Sequence, residues 1–405
     1  MISASLNHIK EFIWWLKERC TYLLYTRLYI PYKVRAIRKK DKIRTVFIIT
    51  EVGVWKTELL YLEMIKHPRF EPTLLVLPST ENDKAYQEVM AFLSQKGYHF
   101  VTLQAEETIK QRLKPDIIFY QKPYRDVVER PHCFWKNLYA LFCYAHYGFH
   151  SIMTDWAINE GTQLYSWLDF YENTSAEEEA IKLSRNKGRN FALTGLPMMD
   201  ELIIAAGQPN TKDYQKKTII WSPHHSITQG LLEYSTFLSY AQYMIDVAHK
   251  YRESVNFIFK PHPLLQPKLR QLWGEEKTTE YYNQWASMPN TRIELGKYID
   301  IFAESDAMIH DCGSFTIEYL YFNKPVMYLA NGVDHESGMA QYAKEAYHMH
   351  YFGKSEHDIE TFIEDVLHDI DPMRGARQEY YQKHLKVPGN STACNNIIHA
   401  ILGTK

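Results

Sequence analysis

The stretch SDAMIHDCGSFTIEYLYFNKPVMYL, Ser305–Leu329, decides how this chain reads. The apolar run at 307–309 predicts a strand. Gly313 and Ser314 supply a turn, FTIEYLYF has helical spacing, and VMYL is a second short apolar run. A strand, a tight turn, a helix and a strand together make a βαβ unit, which lays two parallel strands in one sheet.

The same rhythm runs through the rest of the chain. From residue 45, the runs TVFIIT, TLLVLP, HFVTL and DIIFYQ alternate with the helical stretches WKTELLYLEMIKH, DKAYQEVMAFLSQKG and EETIKQRL. ALFCYAHYGF predicts a further strand ending near Gly148, and FALTGLPMMDELI a strand, a turn and a helix. The polar segment GQPNTKDYQKK predicts a linker at 207–217. TIIWSP, VNFIFKPHP, AMIHD and VMYLA then predict four strands of a second domain, and residues 355–403 read as helices.

The expected fold is α/β, with two doubly wound Rossmann-like domains and a cleft between them. Its expected parts are a basic amphipathic segment (1–44), a first domain (45–206), a second domain (218–385) and a C-terminal helix (386–405). In such sheets ligands bind beyond the carboxyl ends of the strands.

Composition narrows the function classes. The 405 residues carry a net charge of −2, which argues against a nucleic-acid partner. Charge is uneven, however: residues 1–44 carry +8, leaving −10 for the remainder. Five widely spaced cysteines without a CxxC pair fit a reducing compartment and no disulfide framework. No apolar run is long enough to span a bilayer, and Lys10, Glu11, Lys17, Glu18 and Arg19 interrupt any signal-peptide core. Ile9, Phe12, Ile13, Leu16, Cys20, Leu23 and Leu24 fall on one helical face, with Trp14, Trp15, Tyr22 and Tyr25 beside it. A basic, aromatic, amphipathic helix of this kind suits an anionic membrane surface.

Three loops at predicted strand ends of the second domain carry the chemistry. WSPHHSI brings His224 and His225, FKPHP brings Lys260 and His262, and HDCGS brings Asp311, Gly313 and Ser314. In a parallel sheet all three open toward one edge. Imidazoles, an ammonium, a hydroxyl and a helix N-terminus at one edge suit a phosphate or pyrophosphate. Thr316 lies in the same turn, and Glu318, one helical turn after Ser314, could accept a ribose diol. The plainer uses of these residues are helix capping for Ser314, a turn for Gly313 and dipole stabilisation for Glu318. In the first domain, YAHYGFHS offers His146 and His150 as general bases, and the sequence does not separate them. HExxH spacing is missing, and Gly148 argues against a helix bearing both first-domain histidines, so no dedicated metal site is expected. The single glycine of ITEVGVWKTE matches neither GxGxxG nor a Walker A loop, which disfavours dehydrogenases and NTPases and leaves no expected cofactor.

These motifs resemble the CDP-glycerol glycerophosphotransferases of teichoic-acid and capsule synthesis. Lys260 and His262 match that family's Lys-x-His-Pro loop. Ser305, Asp306, Asp311, Ser314 and Glu318 match its second block, and Gly195, Pro197 and Asp200 its Gly-x-Pro-x-x-Asp turn. Cys312 and Gly313 stand where the family has Tyr-Ser, and WSPHHSI where it has Pro-Thr-x-Arg. The resemblance spans about residues 140–335. It implies a GT-B fold and a peripheral enzyme of the inner face of a bacterial membrane. It also implies a CDP-activated alditol phosphate as donor and a lipid-linked or polymeric glycan as acceptor. Catalysis would fall to His262 with His146 or His150. Donor binding would fall to Lys260, His224, His225, Asp311, Gly313, Ser314, Thr316 and Glu318. A UDP-sugar transferase or epimerase of the same fold, and an inactive membrane-bound scaffold, are the competing readings.

Overall fold

The computed structural model of the protein describes residues 19–80, 84–124, 127–208, 216–228, 234–296 and 298–404. The first part of the expected N-terminal helix and most of the expected linker fall outside them. The described residues form two compact units, one within 19–147, 155–198 and 387–404, the other within 148–154 and 199–386.

The first unit is built on seven strands: β1 (Ile43–Ile49), β2 (Phe70–Val76), β3 (Phe100–Val101), β4 (Ile117–Phe119), β5 (Leu141–Ala145), β6 (Leu168–Tyr171) and β7 (Phe191–Leu193). Their order is β3-β2-β1-β4-β5-β6-β7, with every neighbouring pair parallel. The central strands are mostly buried, with β4 and β5 buried throughout and Arg44 the one exposed residue of β1. Phe47 stacks on Phe119 at 4.7 Å across the β1–β4 pair. The expected strand around Tyr144 ends at Ala145, which leaves His146, Tyr147 and Gly148 in the loop beyond it. The C-terminal helix Ala393–Leu402, capped by Thr392 and closed by Gly403 at positive φ, belongs to this unit.

Residues 19–38 form one helical run with a π-turn at Tyr25–Tyr29. Its inner face is fixed by two phenols: Tyr25 donates to the Ala140 carbonyl at 2.9 Å and Tyr29 to that of Tyr139 at 2.7 Å. Its outer face leaves Leu24, Leu28 and Tyr32 at 59%, 65% and 68% exposure. Their i, i+4, i+8 spacing makes a stripe flanked by Arg27 and Arg35.

The second unit carries six strands: β8 (Lys217–Ser222), β9 (Val255–Phe259), β10 (Thr291–Ile293), β11 (Ala307–His310), β12 (Val326–Leu329) and β13 (Tyr351–Gly353). Their order, β10-β9-β8-β11-β12-β13, is all parallel and is the doubly wound order of a dinucleotide-binding sheet. Strand order reverses between β8 and β11, where Ile309 pairs with Trp221 and His310 with Ser222. The strand ends at this switch point rest on an aromatic core. Trp221 stacks on Phe259 at 5.1 Å and Phe259 on Trp285 at 4.9 Å. Fully burying a side chain of this size contributes about 2–3 kcal/mol.

The turn after β11 departs from expectation. FTIEYLYF does not make one helix. An α-helical turn, Phe315–Glu318, passes into a 3-10 turn, Tyr319–Phe322, ended by Asn323 in the left-handed region. Residues 315–321 are all buried, so tertiary packing rather than helical propensity sets this segment. Ser314 makes no side-chain cap bond.

Candidate active site

The loops after β8 and β9 continue the pairing of their strands. Lys260 N–H donates to the Trp221 carbonyl at 2.8 Å, His262 N–H to that of Pro223 at 3.1 Å, and Ser222 Oγ to that of Lys260 at 2.7 Å. The backbone thus holds Pro223–His225 against Lys260–His262. The rings of His224, His225 and His262 gather there, with centroids 4.2–5.2 Å apart. Lys260 is buried beside them. Burial lowers the pKa of His262 to about 2, and the positive charge of its neighbours adds to the effect. Burial first, then neighbouring charge including Lys268, lowers His224 to about 3 and His225 to about 4. All three imidazoles are therefore neutral at pH 7.

Asp311, at the end of β11, joins the third loop to this pair. One carboxylate oxygen accepts the His224 N–H at 2.5 Å; the other accepts Thr236 N–H at 2.5 Å and Thr236 Oγ1 at 2.9 Å. Burial raises its pKa to about 6, with these hydrogen bonds pulling the other way. The carboxylate holds the loops in place.

The remaining residues expected from sequence divide by their contacts. Thr316 donates to the Cys312 carbonyl at 3.3 Å, and Ser314 Oγ lies 3.3 Å from Cys312 Sγ. A Cβ on Gly313 would meet the Tyr234 ring at 3.6 Å, an ordinary contact, and φ there is not positive, so the fold itself does not demand glycine. Glu318 is buried and hydrogen-bonds with the Tyr298 hydroxyl. The short helical turn after Ser314 offers only a small dipole toward an anion.

The structure also separates the two first-domain histidines. His150 lies in the 148–154 segment of the second unit, whereas His146 belongs to the first. His146 Nε2 is 2.7 Å from Asp169 Oδ1 on β6, and Asp169 is fully buried. A carboxylate on Nε2 fixes that nitrogen as the protonated one and leaves Nδ1 as the unprotonated nitrogen of the neutral ring. Asp169 escaped sequence reading, although an acid inside the apolar run of WLDFYEN is itself a signal. Lys268, which touches His225, sits in LLQPKLRQLW with no motif to single it out.

Across the first unit's own switch point, between β1 and β4, Gln121 binds both strand ends. Its Oε1 accepts Thr50 N–H and Oγ1 at 2.8 Å, and its Nε2 donates to the Glu51 carbonyl at 2.5 Å. A recess there is lined by Thr50, Gln121, Lys122 and Tyr124.

Two doubly wound parallel sheets, each with polar loops at its switch point, make a fold of the GT-B type. Residues 157–402 match the family described as CDP-glycerol:poly(glycerophosphate) glycerophosphotransferase, and the chain belongs to that family. It is thus an enzyme of the CDP-glycerol glycerophosphotransferase type. Solved structures that share the fold include the following. One is a variant of the wall teichoic acid polymerase TagF soaked with CDPG, with 12% identity, TM-score 0.57, and 98% of this chain and 96% of that chain covered. The others are UDP-N-acetylglucosamine 2-epimerases. That from Listeria monocytogenes has 14% identity, TM-score 0.56, and 89% and 96% covered. That from Neisseria meningitidis, bound to UDP-GlcNAc, has 14% identity, TM-score 0.54, and 90% and 100% covered. At such identities the likeness is one of fold. No curated protein matches the sequence. Among the described residues, no helix is long and apolar enough to cross a membrane.

Proposed function

We propose that the enzyme transfers glycerol phosphate from CDP-glycerol to a hydroxyl of a lipid-linked or polymeric cell-surface glycan, working at an anionic membrane surface. The supporting observation is the meeting of Lys260, His224, His225 and His262 at the β8–β11 switch point. These residues hold the donor pyrophosphate, and Glu318 holds the ribose. The acceptor oxygen attacks the β-phosphorus, the bond from that phosphorus to the bridging oxygen breaks, and CMP leaves with the electron pair. The hydroxyl proton passes to His146 Nδ1, which Asp169 orients. Lys260 and the imidazole N–H groups stabilise the charge that grows on the departing CMP.

The outer stripe of Leu24, Leu28 and Tyr32, with Arg27 and Arg35, is the surface that rests on the membrane. In this scheme the first domain, 45–206, serves the acceptor and the second domain, 218–385, serves the donor.

A thermal-shift panel of CDP-glycerol, CDP-ribitol, CMP, UDP and UDP-sugars tests the donor. CDP-glycerol and CMP should raise the melting temperature, since a ligand of the native state alone stabilises it. A shift with UDP-sugars and none with CDP-glycerol would overturn the reading, as would undiminished CDP-glycerol turnover by His262→Ala.

A further inference from the structure

One ring nitrogen from each of His224, His225 and His262 lies within 4.8 Å of the others, spacing that could suggest a divalent metal site. The hydrogen bonds of the rings argue otherwise. A metal-ligating histidine presents a lone pair to the ion and donates its other N–H to an acceptor. Here the second nitrogen of each ring meets a donor.

The direction of each bond can be assigned. Ser226 Oγ accepts the N–H groups of Tyr234 at 3.0 Å and Ser235 at 3.1 Å. Its one proton is then left for His224 Nδ1, 2.9 Å away, which also accepts Ser226 N–H at 3.3 Å. His262 Nδ1 accepts Leu264 N–H at 3.1 Å. His225 Nδ1 lies 3.0 Å from Lys268 Nζ, and an ammonium can only donate. Three Nδ1 atoms that accept leave three neutral rings with their protons on Nε2. His224 Nε2 and His262 Nε2 have no hydrogen-bond partner among the described residues.

We propose that Lys268 is a positioning residue of this site: by donating to His225 Nδ1 it completes a set of three Nε2–H donors that seats phosphate oxygens and turns divalent cations away. Of the three locks, two come from the backbone and a serine next to the histidines. The third depends on one side chain from the helix Leu265–Trp273. Lys268 also brings positive charge near the seat without occupying it. The inference rests on reading the cluster as the donor's phosphate seat, and it concerns the residues that stand where the resembling family has a Pro-Thr-x-Arg loop. That seat gains its donors without a guanidinium, and one lysine decides whether the middle ring offers a proton or a lone pair.

The test uses the full chain labelled with 15N-histidine, with inorganic pyrophosphate and Zn2+ as probes. Resonances are assigned through His224→Asn, His225→Asn and His262→Asn. In the ligand-free enzyme, His225 Nδ1 should show the shift of an unprotonated nitrogen, and pyrophosphate should move the Nε2 signals of all three rings. Lys268→Met keeps the apolar stem. It should mix the His225 tautomers, weaken pyrophosphate at least tenfold and raise Zn2+ affinity, with the melting temperature held. Lys268→Arg should restore the tautomer and most of the pyrophosphate affinity. A His225 proton on Nδ1 in the wild type, or unchanged pyrophosphate and Zn2+ binding by Lys268→Met, would overturn the proposal. The tautomer and pyrophosphate readouts do not depend on which nucleotide donor is used. A failure of CDP-glycerol to bind would therefore leave them intact.

Discussion

The carboxylate of Asp311 accepts the backbone N–H of His224 at 2.5 Å, across the point where the strand order of the second sheet reverses. This bond, with the two from Thr236, makes a buried acid the tie between the ends of β8 and β11. Asp311→Asn keeps the volume but turns an NH2 group toward a backbone donor on one side. Hydrogen bonds to a buried charged group contribute about 1.5–3 kcal/mol each. The variant should lose about 2–3 kcal/mol of stability in urea unfolding and at least tenfold in donor affinity, because the His224 loop loses its anchor. Wild-type donor affinity in Asp311→Asn would show that the loop is held by other means.

Gly313 invites the opposite expectation. A Cβ there meets only the Tyr234 ring at 3.6 Å, and the backbone needs no positive φ. Gly313→Ala should therefore be neutral, or stabilising by up to about 1 kcal/mol, through the entropy of the unfolded chain. If the donor approaches this backbone closely, its affinity should fall while the melting temperature does not. A variant unaltered in both would remove Gly313 from the binding surface.

Much of this arrangement was legible in the sequence. The central strands β1, β8, β9, β11 and β12 are apolar runs bounded by turn residues, and their parallel pairing follows from the helices between them. The three loops after β8, β9 and β11 were placed at one sheet edge by that topology alone. What escaped has physical reasons. β10 and β13 are three-residue edge strands, too short to show a period. The 315–322 segment reads as a helix because apolar spacing cannot report that its second half tightens into a 3-10 turn against the core. Asp169 and Lys268 act through residues remote in sequence, 23 and 43 positions from their partners, and carry no motif.

His350 and His310 predict an acid sensitivity unrelated to catalysis. Both are buried, with ring centroids 5.2 Å apart. His350 donates Nδ1–H to the Ala346 carbonyl at 2.9 Å, and Arg377 and Tyr328 stand near it. Burial lowers the His350 pKa to about 3 and places that of His310 well below its usual value. Between pH 6.5 and about 3, the unfolded chain binds protons that the folded one refuses, so stability falls as pH falls. From His350 alone the loss should reach about 2 kcal/mol at pH 5. Urea unfolding at pH 7 and pH 5 measures it, and His350→Leu should shrink the difference by about 2 kcal/mol while the other lowered histidines keep their share. An equal pH slope in the variant would assign the acid sensitivity to other groups.

The exposed stripe of the first helical run can be tested apart from the fold. Leu24→Glu with Leu28→Glu alters two exposed side chains and leaves the Tyr25 and Tyr29 anchors in place, so the melting temperature should stay within about 1 °C of wild type. Co-sedimentation with phosphatidylglycerol vesicles should fall at least tenfold. Arg27→Gln with Arg35→Gln should weaken binding less and remove part of its salt dependence. Vesicle binding that survives both pairs would place the membrane contact elsewhere.

The pair His146–Asp169 bears on the choice of base. If Asp169 holds the proton on Nε2, then Asp169→Asn can present its amide N–H to that nitrogen and favour the wrong tautomer, with the proton on Nδ1. The base would be lost without loss of the ring. Turnover should fall by 10² or more in both His146→Ala and Asp169→Asn, in line with the usual share of general-base catalysis. Donor affinity should be unchanged, because the proposed donor seat lies in the second unit. The double variant should be little worse than either single one, because the two residues act as a unit. His150→Ala should then retain most of its turnover. If His150→Ala loses turnover and His146→Ala does not, the base is His150, and the carboxylate on His146 holds that ring for packing alone.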